Sequence, residues 1–171
     1  MTSRVLPSLK GRALQWLAQR EHSRVELRRK LLRLSRERAP AQAAEDDAKA
    51  ADPTVQVDAL LDWLVANRYL SDARFVESRV NARAARYGNL RIRQELGQHG
   101  TALDAATAER LKSSELARAH ALWQRKYGAV PPPQETGERI RQMRFLAGRG
   151  FSAEVIRRVI RGEESEADEQ A

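Results

Sequence analysis

Residues 61–75 read Leu61-Asp62-Trp63-Leu64-Val65-Ala66-Asn67-Arg68-Tyr69-Leu70-Ser71-Asp72-Ala73-Arg74-Phe75. In the first part an aromatic residue and a leucine lie on one helical face, and a short polar turn follows them. Ser71 is then placed to cap the first exposed amide groups of a second helix, whose apolar anchor is Phe75. The stretch therefore predicts a unit of helix, tight turn and helix.

This unit is repeated along the chain. An earlier copy reads Leu14-x-Trp16-Leu17-x-x-Arg20-x-His22-Ser23, and a later copy reads Met143-x-Phe145-Leu146-x-x-Arg149-x-Phe151-Ser152. These two align without a gap and are followed by the anchors Leu27 and Ile156, whereas the middle copy has one extra residue before Ser71. A fainter fourth copy contains Ile92, Leu96, Gly100 and Thr101. Because one such unit cannot bury its apolar face alone, consecutive units are expected to stack.

The sequence predicts an all-α protein. Helices are expected at residues 8–20, 23–37, 55–67, 71–86, 89–99, 103–111, 113–127, 135–148 and 152–161. The second helix begins with the pattern of a capping box, in which Ser23 and Glu26 bond each other's amide groups. The helices group into tandem three-helix modules, residues 1–67, 68–112 and 113–162, in an elongated array. Residues 39–53 are predicted to form a flexible acidic loop, and residues 163–171 a disordered acidic tail.

The formal net charge of +8 is unevenly distributed. The tail contributes −5 and residues 45–52 contribute −3, so that without these two segments the rest of the chain carries +16. A surface of that sign favours a polyanionic partner, either a nucleic acid or an acidic protein surface. The alternative is a well-solvated arginine-rich surface without a specific partner.

Eight arginines are candidates for binding phosphates or carboxylates, which guanidinium groups can bond in pairs. On the second helix, Leu27, Leu31 and Leu34 form an apolar stripe, and three of the arginines have the same spacing on nearly the opposite side. The others lie on the fourth and fifth helices. The candidates are Arg29, Arg33, Arg36, Arg79, Arg83, Arg86, Arg91 and Arg93. Ordinary solvated helix faces are the alternative for both clusters.

The aromatic residues and histidines indicate structural roles. Trp16 and Trp63 occupy the same repeat position as Phe145, which favours a place in the core over a platform for base stacking, and Trp123 is interpreted in the same way. The three histidines are far apart and lack metal-ligand spacing. Cysteine is absent, which excludes disulfides and zinc sites built on sulfur. No metal site is expected.

An enzyme is not predicted. The chain has no glycine-rich phosphate loop, no metalloprotease motif and no credible nucleophile–base pair, so neither catalytic residues nor a cofactor are expected. No stretch reaches the roughly 18–20 apolar residues that span a bilayer, and residues 1–10 lack the apolar run of a signal peptide. We therefore expect a cytoplasmic protein that does not bind membranes.

The same blocks resemble the RecX family. Trp63-Leu64 through Phe75 is similar to its central Tyr-Leu-small-Asp-x-x-Phe signature, and Tyr87-Gly88 with the helix that follows resembles its next block. Residues 20–31 resemble its first module, and Arg149-Gly150-Phe151-Ser152 its last. The resemblance covers about residues 10–162, in the family's order. The loop 39–53 and the acidic tail are longer than the family core requires.

The resemblance implies a regulatory role. RecX proteins bind RecA along the groove of its filament on single-stranded DNA, and they restrain strand exchange and coprotease activity without catalytic residues or a cofactor. The eight arginines are then candidates for contact with RecA or nucleic acid. We expect a monomer with weak direct binding to single-stranded DNA. The alternatives are a helix-turn-helix regulator that reads a DNA sequence, and a helical adaptor that binds only protein.

Overall fold

The computed structural model describes residues 7–42, 52–128 and 136–163. Within these ranges the chain forms nine α-helices and no strand, which confirms the predicted all-α fold. The helices are α1 (Leu9–Gln19), α2 (Arg24–Gln42), α3 (Pro53–Ala66), α4 (Asp72–Arg83), α5 (Asn89–Gln98), α6 (Ala105–Ser113), α7 (Glu115–Tyr127), α8 (Thr136–Gly148) and α9 (Ala153–Ile160). All nine predicted helices are present.

Two helix ends differ clearly from the prediction. α2 continues to Gln42 instead of ending at residue 37, although Pro40 disfavours a helix interior, so residues 39–42 of the predicted loop are helical. α4 ends at Arg83 instead of residue 86. The Arg86 backbone N–H donates a hydrogen bond of 2.9 Å to the Arg83 carbonyl, which closes a tight turn after the helix. Residues 43–51 of the predicted loop and residues 164–171 of the predicted tail lie outside the described residues.

The chain divides into two compact units. Unit 1 comprises residues 1–75 and 99–101, and unit 2 comprises residues 76–98 and 102–171. The boundaries predicted for the three modules, after residues 67 and 112, stay predictions.

The core of unit 1 is made by α1, α2 and α3. Its buried residues are Ala13, Leu27, Leu31, Val57, Leu61, Leu64 and Leu70. Trp16 and Trp63 are half-buried and pack against this cluster, which confirms their place in the core. The ammonium groups of Lys30 and Lys10 lie 4.4 and 3.5 Å from the centres of these two rings, in cation–π geometry.

The core of unit 2 includes a cluster formed by α7, α8 and α9. Its buried residues are Leu116, Ala119, Trp123, Leu146, Phe151, Ile156, Val159 and Ile160. Trp123 is buried as predicted, and its indole Nε1 donates a hydrogen bond of 2.7 Å to the buried Gln142 side chain. This bond satisfies the one polar atom that burial of the ring would otherwise leave without a partner. Phe145 packs against the cluster while remaining partly exposed.

The three repeat serines cap their helices as predicted. The hydroxyl oxygens of Ser23, Ser71 and Ser152 accept hydrogen bonds from the amides three residues later, at 3.1, 3.3 and 3.4 Å. The reciprocal half of the predicted capping box differs, because the Glu26 carboxylate accepts hydrogen bonds from the guanidinium of Arg20 instead. A charged donor makes a stronger bond to a carboxylate than a backbone amide does.

The repeat alignment is accurate at the anchors and differs at one position before the cap. Leu27, Phe75 and Ile156 are all buried, as expected. The residue directly before each serine is also buried, so Leu70, not Tyr69, corresponds to His22 and Phe151. Tyr69 is 49% exposed and stacks on the Trp63 ring. The extra residue fits because Arg68 adopts a positive φ of 61°.

The fainter fourth copy keeps its buried face but not its cap position. Ile92 and Leu96 are buried on α5, and Gly100 adopts a positive φ of 69° after that helix. The next helix begins later, at Ala105, and is capped by Asp104, whose carboxylate accepts a hydrogen bond from the Thr107 amide at 2.8 Å.

Candidate functional site

The arginines predicted on α2 lie away from the core of unit 1. Leu27 and Leu31 are fully buried, whereas Arg29, Arg33 and Arg36 are exposed. Arg33 donates to the Glu37 carboxylate at 2.9 Å, one helical turn away. Both side chains of that pair are mostly exposed, so the pair contributes little stability and leaves the guanidinium accessible to a partner.

The arginines predicted on α4 do not form one open stripe. Arg79 and Arg83 approach the same Glu95 carboxylate on α5, at 3.2 and 3.1 Å. Because these side chains are half-buried, the shared carboxylate already neutralises part of their charge. Arg86 follows the end of α4, and its side chain is exposed.

Arg91 and Arg93 also have different surroundings, although both are exposed on α5. The Arg91 guanidinium lies 4.8 Å from the centre of the Tyr87 ring and donates to the carbonyl of Gly148 at 3.3 Å. Arg93 lines a separate hollow that also contains three carboxylates, those of Glu109, Glu115 and Glu154. Arg91 therefore belongs with the surface around Tyr87, and Arg93 does not.

The clearest concentration of positive charge in unit 2 is a cleft of about 430 Å³. We call it the basic cleft; its lining residues are Arg86, Leu122, Arg125, Lys126, Phe145 and Arg149. Four of the six are cations and none is acidic. The Lys126 ammonium lies 3.9 Å and the Arg149 guanidinium 5.5 Å from the centre of the Phe145 ring. Cations around an accessible aromatic ring can bind phosphates and a stacked base together.

Only Arg86 of the basic cleft was among the candidates predicted from the sequence. Arg125 and Lys126 lie side by side on α7, but Arg86 precedes them by more than thirty residues and Arg149, which follows α8, comes more than twenty residues after them. Arg149 belongs to a motif that the sequence did single out, but its partners become visible only in three dimensions. The aromatic repeat position marks Phe145 in the sequence. In the structure a lysine lies over the ring at each of the three copies, at Phe145, Trp16 and Trp63.

A buried polar network fixes the turn that carries Arg86. The Arg118 guanidinium donates to the carbonyl oxygens of Ala84 and Tyr87, at 2.9 Å each, and to the side-chain oxygen of Asn89 at 2.6 Å. The backbone N–H of Asn89 in turn donates to the Glu115 carboxylate at 2.9 Å. Burial lowers the pKa of Arg118, and the nearby Glu115 charge opposes that effect. The sequence alone did not single out any of these three polar residues.

His22 is the buried titratable group of unit 1. Only 2% of it is exposed, and its Nδ1 lies 3.1 Å from the Glu26 carboxylate. Burial lowers the pKa of His22; Glu26 opposes this effect, and the charges of Arg20 and Lys30 add to it. The neutral imidazole is therefore the form that the fold favours.

Residues 7–42, 52–128 and 136–163 are the described part of the chain. In it, His, Asp and Glu side chains form no group of three that could hold a metal ion. No helix there is long and apolar enough to cross a membrane.

Comparison with protein families identifies two parts of the chain. Residues 71–108 match the model of the second three-helix domain of RecX, and residues 113–160 match that of the third. Both matched segments contain residues that line the basic cleft, and both contribute to the polar network of Arg118 and Asn89.

Individual relatives match nearly the whole chain. Proteins named "Regulatory protein RecX" from Ralstonia nicotianae and Leptothrix cholodnii are 44% and 47% identical, over 95% and 94% of this chain and 92% of each relative. A protein of the same name from Pseudomonas putida is 40% identical over 91% of this chain and 90% of its own length. These relatives carry the name of a regulator, not of an enzyme. The chain belongs to the RecX family.

Proposed function

We propose that this protein binds RecA and its filament on single-stranded DNA, and that it inhibits the recombinase, ATPase and coprotease activities. It would thereby modulate recombination, DNA repair and the SOS response. The observation that carries the proposal is the match to regulatory RecX proteins over more than nine tenths of the chain. We propose further that it acts as a monomer in the cytoplasm, where such filaments form.

The mechanism needs binding and no chemical step. A ligand restrains a filament only if it binds one state of that filament more tightly than the others. The proposed contacts are guanidinium and ammonium groups, which meet DNA phosphates or RecA carboxylates. Arg29, Arg33 and Arg36 on α2 and the basic cleft in unit 2 supply accessible groups that support this role. Arg79 and Arg83 would contribute after exchanging part of their contact with Glu95.

Direct binding to naked single-stranded DNA is the weaker part of the proposal. The basic cleft offers four cations and the Phe145 ring, a combination suited to phosphates and an unpaired base. Such binding depends strongly on salt, because each neutralised phosphate releases counterions. We expect it to add affinity for the filament without selecting a sequence.

A helix-turn-helix regulator that reads duplex DNA is the second candidate. The capped start of α2 and its exposed arginines favour this alternative, because a basic helix after a tight turn can enter a major groove. It predicts sequence preference on naked duplex DNA, which the first proposal does not. A helical adaptor unrelated to RecA would bind neither DNA nor the filament.

A binding experiment separates the three candidates. The immobilised protein is incubated with purified RecA, with and without single-stranded DNA and a slowly hydrolysed ATP analogue. A salt series then compares naked and RecA-coated DNA. We expect retention of RecA and a clear preference for the coated strand. No retention of RecA, together with sequence-dependent binding to duplex DNA, would replace the proposal with the second candidate.

A further inference from the structure

Unit 2 contains a second concave surface, between α8 and α9, that the proposed DNA contact does not use. It has a volume of about 390 Å³ and is lined by Thr136, Arg139, Ile140, Met143, Arg157, Ile160 and Arg161. We call it the α8–α9 groove. Ile140 and Met143, one helical turn apart, are 43% and 37% exposed, although they are large apolar side chains. An accessible apolar floor of this kind can receive a large apolar side chain of a second molecule.

The rim of the α8–α9 groove selects the charge of its occupant. Three arginines line it and no acidic residue does. One of these arginines already binds a carboxylate, because Glu163 lies 3.0 Å from Arg161 at the edge of the groove; Glu163 also lies 3.0 Å from Arg158, which is outside the groove lining. Carboxylates therefore fit this rim.

The floor of the groove distinguishes between the possible acidic occupants. It is aliphatic, with no ring on which a base could stack, in contrast to the basic cleft with Phe145. The residues that follow Glu163 are acidic but include no large apolar side chain, so they match the rim and not the floor. A protein segment with both carboxylates and an apolar anchor matches both.

We propose that the α8–α9 groove docks an acidic segment of a protein partner, with one large apolar side chain of that segment inserted between Ile140, Met143 and Ile160. The carboxylates of the segment then pair with Arg139 and Arg157, and with Arg161 in exchange for Glu163. This is the recognition of a charged, apolar-anchored peptide in a groove between helices. That RecA supplies the segment rests on the proposed function; the chemistry of the segment does not.

The methionines provide a direct test in the full chain. It contains two of them, Met1 and Met143, so selective labelling of methionine methyl groups with ¹³C gives one signal from the groove and one reference. The labelled protein is titrated with a short glutamate-rich peptide that contains a leucine pair. The controls are the same peptide with alanine in place of leucine, and a thymidine oligonucleotide.

We expect the Met143 signal to shift with the leucine peptide, and to shift much less with the alanine peptide or the oligonucleotide. An unchanged Met143 signal with the leucine peptide would overturn the proposal. An equal response to the oligonucleotide would also overturn it, because the groove would then bind nucleic acid.

Variants connect the groove to RecA. Ile140→Ser with Met143→Ser, and separately Arg139→Gln with Arg157→Gln, should weaken filament binding at least about tenfold, which is about 1.4 kcal/mol. Binding to naked single-stranded DNA should change little. The matched controls are Val65→Ser, exposed on α3, and Arg144→Gln, exposed on α8 outside the groove lining.

Equal losses for filament and naked DNA, or no loss for either, would contradict the assignment of the groove to RecA. If the parent protein does not bind RecA at all, the proposed function fails. The peptide titration then still decides whether the groove takes an acidic segment.

Discussion

Gly88 packs against the backbone of Gly150. The Gly88 amide donates to the Arg149 carbonyl at 2.9 Å, and the Leu90 amide donates to the Gly150 carbonyl at 3.1 Å. Two motifs that lie sixty residues apart in the sequence, Tyr87-Gly88 and Arg149-Gly150-Phe151, therefore meet inside unit 2. A Cβ atom on Gly88 would overlap the backbone of Gly150 and Phe151, so a hydrogen is the only side chain that fits.

Gly88→Ala should lower the free energy of unfolding by at least about 2 kcal/mol, because the added methyl group meets backbone that cannot move aside cheaply. Gly97→Ala is the matched control, since a Cβ on this helical glycine meets nothing within 4 Å. That control should stabilise the protein by about 0.5–1 kcal/mol. Urea unfolding of both variants measures the difference. Similar stabilities would mean that the two motifs do not pack together as described.

The cap and the ring of the last repeat should differ in importance. Ser152→Ala removes the bond to the Val155 amide and should reduce stability by about 0.5–2 kcal/mol. Phe151→Ala empties a buried site and should reduce it by about 3–5 kcal/mol. Phe145→Ala should have a smaller effect than Phe151→Ala, since Phe145 is partly exposed. Thermal melts rank the three variants, and a larger loss for Phe145→Ala would contradict the assigned burial.

Stability should fall when the pH is lowered from about 7.5 to 5.5. Because burial lowers the pKa of His22, the unfolded chain takes up a proton at a higher pH than the folded chain does. The contribution of neutral His22 to the free energy of unfolding is thus fully present above the unfolded pKa of about 6.5. It is lost as the pH falls, and the free energy of unfolding then decreases by at most about 1.4 kcal/mol per pH unit.

His22→Phe should remove this pH dependence, because the equivalent position in the last repeat is the buried Phe151. His120→Gln, a half-buried histidine of unit 2, serves as the control and should retain it. Urea unfolding at several pH values gives the slopes. A parent protein whose stability is constant over this range would show that His22 has no lowered pKa.

The basic cleft should account for much of the direct DNA binding. Arg86→Gln, Lys126→Gln and Arg149→Gln together should weaken binding to a thymidine oligonucleotide. They should also reduce the slope of log K against log salt by about 2, taking about 0.7 for each phosphate contact on a single strand. Arg110→Gln, Arg141→Gln and Arg144→Gln change the net charge equally outside the cleft. Fluorescence anisotropy compares them, and equal effects of the two triple variants would assign the binding to overall charge.

The helices and their caps could be predicted because they depend on local sequence. Repeated patterns placed Ser23, Ser71 and Ser152 at helix starts, and apolar spacing identified Leu27 and Phe75 as buried anchors. The burial of Leu70 in place of the neighbouring Tyr69 could not be predicted. It depends on the positive φ of Arg68, a conformation that the sequence would normally indicate with a glycine.

The candidate site was predictable only in part. Spacing along a helix places Arg79 and Arg83 on one face, but it does not show that Glu95 from the next helix lies between them. The basic cleft combines residues from two helices and two turns, so its members have no common period in the sequence. Likewise, the network of Arg118 depends on carbonyl groups that are freed only where α4 ends.

Inhibition of RecA by binding can be measured as a change in RecA's ATP hydrolysis on single-stranded DNA while this protein is added. Strand exchange is measured in parallel with the same preparations, and circular dichroism confirms that the protein is folded. We expect both rates to fall at ratios of this protein to RecA well below one to one, because a ligand bound along a filament affects many subunits. Unchanged rates at an equimolar ratio, with the protein folded, would contradict it.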